Sequence, residues 1–317
     1  MKIEVRVGSD SDLPKIKNSF TTLDNLSIPY SVRILSAHRT PDAMSENARN
    51  LVKDGFKVSI GAAGGSAHLP GMTSSETSLP VIALPVKTSF FDGMDSLHSM
   101  IQMPPGVPVG CVGSGNAEGA AILAAQIAYL NDPEVRKRIC DYRHIPYREI
   151  VFKPRVALIN SSPSLEKDAD ASIKLLSSFG VECYKFEWGE KILEDLINKG
   201  CVAIIAVNPY PGKPLAGELS MKTDLPVIVV PCSSENSLSI FSDILGTYPL
   251  AGQGINRLMN GAIFAAKVLG ANDEQVRIKV EEYSKGLAQE VKEKDKILVE
   301  TGISAYLDKM GMKENGK

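Results

Sequence analysis

The chain has 317 residues, enough for two domains of ordinary size, and 44% hydrophobic with 23% charged residues is the balance of a globular protein. A formal net charge of -2 and a single tryptophan argue against nucleic acid as a partner, because neither a basic face nor a base-stacking platform is expected. Five scattered cysteines without a CxxC pair, an N-terminus that enters a strand directly, and no apolar run of membrane-spanning length lead us to expect a cytoplasmic protein with free thiols, no disulfide framework, no zinc site and no membrane partner.

Ile3 to Val7 reads as a short strand that stops at Gly8, and Leu13 to Leu23 carries helical spacing. Ser9-Asp10-Ser11-Asp12 between them supplies helix-capping side chains, and the freed amides of such a turn attract anions. A second strand, Tyr30 to Leu35, leads into Ser36-Ala37-His38-Arg39-Thr40-Pro41, where Thr40 and Pro41 suit a helix start. That helix should end near Gly55. Strand Lys57 to Ala62 breaks at Gly64-Gly65, a helix starts around Pro70, and Leu79 to Val86 is apolar enough for a strand buried on both faces. Asp95 to Gln102 reads as a helix, Val107 to Val112 as a strand, and Ala117 to Tyr129 as an alanine-rich helix. This alternation predicts an α/β fold: a three-layer, doubly wound parallel sheet. Ligands of such sheets bind at the carboxyl ends of strands, where Gly8-Ser9, Ser36-His38 and Gly64-His68 all fall.

Arg143 to Lys153 is polar and aperiodic, and after it the pattern restarts. Strands at Val156–Ile159, Glu182–Phe186 and Val202–Val207 alternate with helices at Leu165–Phe179 and Lys191–Lys199. Leu79 to Val86 (LPVIALPV) matches Leu225 to Cys232 (LPVIVVPC), and Ala120 to Arg136 matches Gly261 to Arg277. One domain has been duplicated in tandem, with expected limits of 1–143, a linker at 144–154, and 155–317 ending in a long charged helix from Asp273 to Glu300.

All four histidines (His38, His68, His98, His144) lie in the first half of the chain. The second has Asn160-Ser161-Ser162 at the first turn, Phe186-Glu187-Trp188-Gly189 in place of Ser-Ala-His-Arg, and Asn208 to Lys213 in place of the glycine-histidine run. It keeps the scaffold without the chemistry, so we expect one working copy. Alone, Ser9 and Asp12 read equally well as helix caps and His68 as a turn residue. His98 is expected only to pack, His144 to be solvated, and Lys87 and Asp92 to lie near the site without a committed role.

Gly8-Ser9-x-Ser11-Asp12, Ser36 to Pro41, Ala63 to Met72 (AGGSAHLPGM) and Gln102 to Val109 (QMPPGVPV) resemble the PurE family of purine biosynthesis over about residues 3–140, and more distantly through the repeat. The resemblance implies a flavodoxin-like fold in two tandem copies. It implies interconversion of N5-carboxyaminoimidazole ribonucleotide and 4-carboxy-5-aminoimidazole ribonucleotide through aminoimidazole ribonucleotide and trapped CO2, with neither metal nor organic cofactor. His38 would be the proton shuttle. Ser9, Asp12, Ser36, Arg39, Gly64, Gly65, Ser66, His68 and Leu69 would bind substrate, with Arg39 on the phosphate and the glycine run around CO2. A histidine, with an unperturbed pKa of ~6.5, can give and take a proton near neutral pH. SAHRTP and the second histidine follow the mutase class, whereas Glu118-Gly119 in a short loop is reminiscent of the direct carboxylase class. Direct carboxylation and a silent nucleotide-binding module stay open as alternatives. Because single-domain relatives assemble as octamers, a homotetramer of tandem chains is expected.

Overall fold

The computed structural model of the chain describes residues 2–87, 93–160, 162–212, 214–234 and 239–310. Asp92, Ser161 and Lys213 therefore lie outside the described residues. Residues 1–280 form one compact unit and residues 281–317 a second.

The first copy runs β1 (Lys2–Val7), α1 (Lys17–Asn25), β2 (Tyr30–Ile34), α2 (Pro41–Asn50), β3 (Phe56–Ala63), α3 (Leu69–Glu76), β4 (Val81–Pro85), α4 (Met94–Ile101), β5 (Gly110–Cys111), α5 (Ala117–Ala128) and α6 (Pro133–Arg143). β1 to β5 are parallel in the order β2-β1-β3-β4-β5, the doubly wound arrangement expected from the sequence. β4 is buried at every residue, which is why it reads as an unbroken apolar run. α1 packs on α5 and α2 on α3, giving two helix groups against the sheet.

The second copy repeats the plan with β6 (Arg155–Ile159), α7 (Glu166–Ser178), β7 (Glu182–Phe186), α8 (Ile192–Asn198), β8 (Ala203–Pro209), α9 (Leu215–Ser220), β9 (Val227–Cys232), α10 (Ser239–Leu245), β10 (Leu250–Gly252) and α11 (Leu258–Gly270). α12 (Glu274–Thr301) and α13 (Ile303–Lys309) follow. Its strands lie in the order β7-β6-β8-β9-β10, the same order as in the first copy.

The two copies expected as separate domains share a single ten-stranded sheet. The join is antiparallel, Cys111 of β5 opposite Gly252 of β10, so each copy covers the edge the other would leave open. Gly110 is fixed as glycine by this join, because a Cβ there would stand 2.4 Å from Cζ of the buried Phe264 ring. The Arg136–Asp224 ion pair, 2.7 Å and almost fully buried, crosses between the copies, as do Gln253 Nε2 to the Val109 carbonyl and Asn116 Nδ2 to the Tyr248 carbonyl.

Three local differences from the sequence reading have plain causes. The first helix begins as a 3-10 turn, Asp10–Ile16, containing Pro14. β5 has two residues rather than six; Pro108, within the expected segment, has no N–H to give a ladder. α6 was not expected, yet Asp132 caps it through the amides of Glu134 and Val135, with Pro133 at its first position.

Candidate active site

β2, β1 and β3 are neighbours, and the turns at their carboxyl ends meet in a cavity of about 400 Å³. Gly8, Ser9, Asp12, Ser36, Ala37, His38, Arg39, Ala63, Gly64, Ser66, His68 and Leu69 line it. Nine of the ten residues singled out from the sequence are thus brought together. The tenth, Gly65, lies in the same turn with φ of +65°, a conformation that only glycine adopts without strain.

Arg39 is fixed at the mouth by three contacts. Its Nη2 donates to the Gly8 carbonyl at 3.0 Å, and its backbone N–H and Nε donate to Ser36 Oγ at 3.2 and 3.5 Å. Thr40 braces the same turn, accepting from the Ser36 amide and donating to the Ser36 carbonyl. The guanidinium is exposed and keeps free donors beside the Ser9 turn, whose hydroxyl accepts from the Ser11 amide. Asp12 is buried, with Lys15 3.7 Å away; burial raises its carboxyl above the ordinary range and the lysine partly opposes this.

His38 and His68 face one another, Nε2 to Nδ1 at 3.0 Å with the rings nearly perpendicular. One nitrogen must donate and the other accept, so the contact fixes the tautomers of the two rings relative to each other. His68 is held by backbone geometry: it caps α3, and its carbonyl accepts from the Met72 amide. Both rings are exposed. Ser96, which sequence reasoning missed, reaches from α4 to accept the Gly65 amide at 2.8 Å while donating to the Val86 carbonyl. No spacing signal links residues 31 positions apart, so only the fold reveals this brace.

His98, expected to pack, is exposed instead; it lines a second cavity, of about 450 Å³, with Ser233, Asn256 and Arg257. His144 is exposed at the α6 terminus, as expected. Lys87 lies beside Gly93 and Gly115 and is not among the residues lining the active-site cavity. In the second copy, Trp188 follows β7 and donates its indole N–H to the Val207 carbonyl of β8. Among the described residues no group of three or more His, Cys, Asp or Glu could hold a metal ion, and no helix is long and apolar enough to cross a membrane.

A family model described as AIR carboxylase matches residues 2–147 and again 155–290. The chain belongs to this family, in two tandem copies. It is similar to the N5-carboxyaminoimidazole ribonucleotide mutase of Thermotoga maritima, with 48% identity over 152 residues that span 48% of this chain and 89% of that protein. The mutase of Haemophilus influenzae is 49% identical over 155 residues, spanning 48% of this chain and 94% of its own length. The phosphoribosylaminoimidazole carboxylase of Schizosaccharomyces pombe is 50% identical over 133 residues, which span 42% of this chain and 24% of that longer protein. Among solved structures, Treponema denticola PurE matches with 29% identity and a TM-score of 0.42, covering 45% of this chain and 89% of its own.

Proposed function

We propose that the first copy converts N5-carboxyaminoimidazole ribonucleotide to 4-carboxy-5-aminoimidazole ribonucleotide, a step of purine biosynthesis in the cytoplasm. The observation that carries this reading is the His38–His68 pair, 3.0 Å apart in the cavity that also holds Arg39 and Ser9. Arg39 and the Ser9 turn offer the forked donor and amides that a phosphate needs, and Asp12 an acceptor for a ribose hydroxyl. Ser36, Ser66 and Leu69 enclose the base, and the side-chain-free Gly64-Gly65 turn leaves room for CO2 beside it.

The carboxyl group leaves N5 as CO2 while His38 returns a proton to that nitrogen. C4 of the resulting aminoimidazole ribonucleotide attacks the trapped CO2, and His38 then removes the C4 proton, so the histidine ends as it began. His68 hydrogen-bonds to the shuttle and sets which ring nitrogen faces the substrate. The second copy contains no histidine, which leaves it as scaffold. The exposure of His38, Arg39 and His68 in a single chain supports an assembly in which a neighbour completes the site, and we take it to be a homotetramer.

His38→Asn tests the enzymatic reading. It should abolish turnover while leaving substrate binding by calorimetry within about threefold, because the asparagine keeps a polar contact and cannot shuttle a proton. Unchanged product formation would remove His38 from that role. Direct carboxylation of aminoimidazole ribonucleotide is the second reading, favoured by the likeness to the fungal carboxylase.

A further inference from the structure

His68 owes its place to α3, an eight-residue helix whose first turn it caps. Within the first copy that helix is held by a buried network. Arg6 Nη1 donates to Thr73 Oγ1 at 2.9 Å, Arg6 pairs with Glu4 on the same strand, and both charged residues are fully buried. The second copy grips the same helix at two further points. Lys267, on α11, is wholly buried, and its Nζ donates to the Ser74 carbonyl, the Ser74 hydroxyl and the Thr77 carbonyl, each at 3.0 Å. These are terminal carbonyls that α3 leaves without partners of its own, at the negative end of the helix.

Asn260, about two α11 turns earlier, acts on the other side. Its Oδ1 accepts from the Gly106 amide at 2.9 Å, and its Nδ2 donates to the Pro104 carbonyl at 3.0 Å. This fixes the Met103–Gly106 loop, and Met103 abuts Gly71 of α3 so closely that a Cβ there would lie 3.1 Å from the methionine methyl.

We propose that Lys267 and Asn260 of the second copy are positioning residues for the first copy's site, holding α3 so that His68 meets His38. This rests on the reading of that site given above. It also explains why a buried cation occupies a position that an apolar side chain would fill at lower cost. The repeat puts Gln126 at the equivalent place in the first copy, so the lysine belongs only to the copy without catalytic histidines.

The test compares the full-length chain with Lys267→Met and Asn260→Ala. It reads kcat and KM with N5-carboxyaminoimidazole ribonucleotide, and the nuclear Overhauser contact between the His38 and His68 ring protons by NMR without substrate. Each variant should lower kcat about tenfold with KM within about twofold, because Ser9 and Arg39 stand on the β1 and β2 turns rather than on α3. Each should also weaken or remove the contact between the His38 and His68 rings. Wild-type kcat and an unchanged His38–His68 ring contact in the variants, with only a lower melting temperature, would overturn the proposal. Should Lys267→Met fail to fold, Asn260→Ala decides the matter through the separate Met103 loop. A wild-type chain without turnover would sink the functional reading alone, since the NMR readout still decides the positioning.

Discussion

His38 and Arg39 are adjacent in sequence and serve different ends of one cavity, which makes them separable by mutation. Arg39→Ala should raise KM about 30- to 100-fold with a smaller effect on kcat, the loss of a charge-assisted forked contact to a phosphate. Steady-state kinetics on the two parameters checks this, and an unchanged KM would place the phosphate elsewhere. These residues were legible in the sequence because each sits in a turn after a recognisable strand, and α/β sheets put such turns side by side. The His38–His68 contact was not legible. Thirty positions separate the two rings, and their meeting depends on the α3 entry angle rather than on any local pattern. Ser96 on a helix and the Glu4–Arg6 pair on a strand escaped for the same reason: nothing local marks an inward-facing polar residue as a network member.

At the scale of elements, strands and helices with strong periodicity were readable and short ones were not. β5 is the instructive case, since Val107 to Val112 has strand-like composition but contains Pro108, and the strand is only Gly110 and Cys111. Cys111 nonetheless carries the join to β10, opposite Gly252. Gly110→Ala would force a methyl group against Phe264 and Ala251, and should destabilise the protein by about 1–3 kcal/mol. Urea denaturation measures it; wild-type stability in this variant would mean that the join yields freely. α6 shows that an Asp-Pro-Glu start is a sufficient helix signal even beside a polar stretch.

For the whole molecule the duplication was plain from matching segments, but the sharing of one sheet was not. Edge-to-edge pairing leaves no local mark, because β5 and β10 read the same whether paired or open. Lys267 gives this arrangement a pH signature. Burial pushes its amine down to about 7 from an unfolded value of 10.5. Between those values the unfolded chain holds a proton that the folded chain has released, so stability should rise with pH across that window. Below about 7 both states are charged and the full penalty, up to about 5 kcal/mol, applies. The stability difference between wild type and Lys267→Met should therefore move in favour of wild type from pH 7 to pH 10. A difference that stays flat would show that the lysine keeps its proton when folded. Mass measurement in solution should give a homotetramer, and a stable monomer would contradict an active site completed by a neighbour.

The mutase assignment is tested most directly by giving the full-length chain two substrates in parallel. N5-carboxyaminoimidazole ribonucleotide without added bicarbonate should yield 4-carboxy-5-aminoimidazole ribonucleotide faster than aminoimidazole ribonucleotide does at high bicarbonate. Faster product from aminoimidazole ribonucleotide would contradict the mutase reading and make the chain a direct carboxylase.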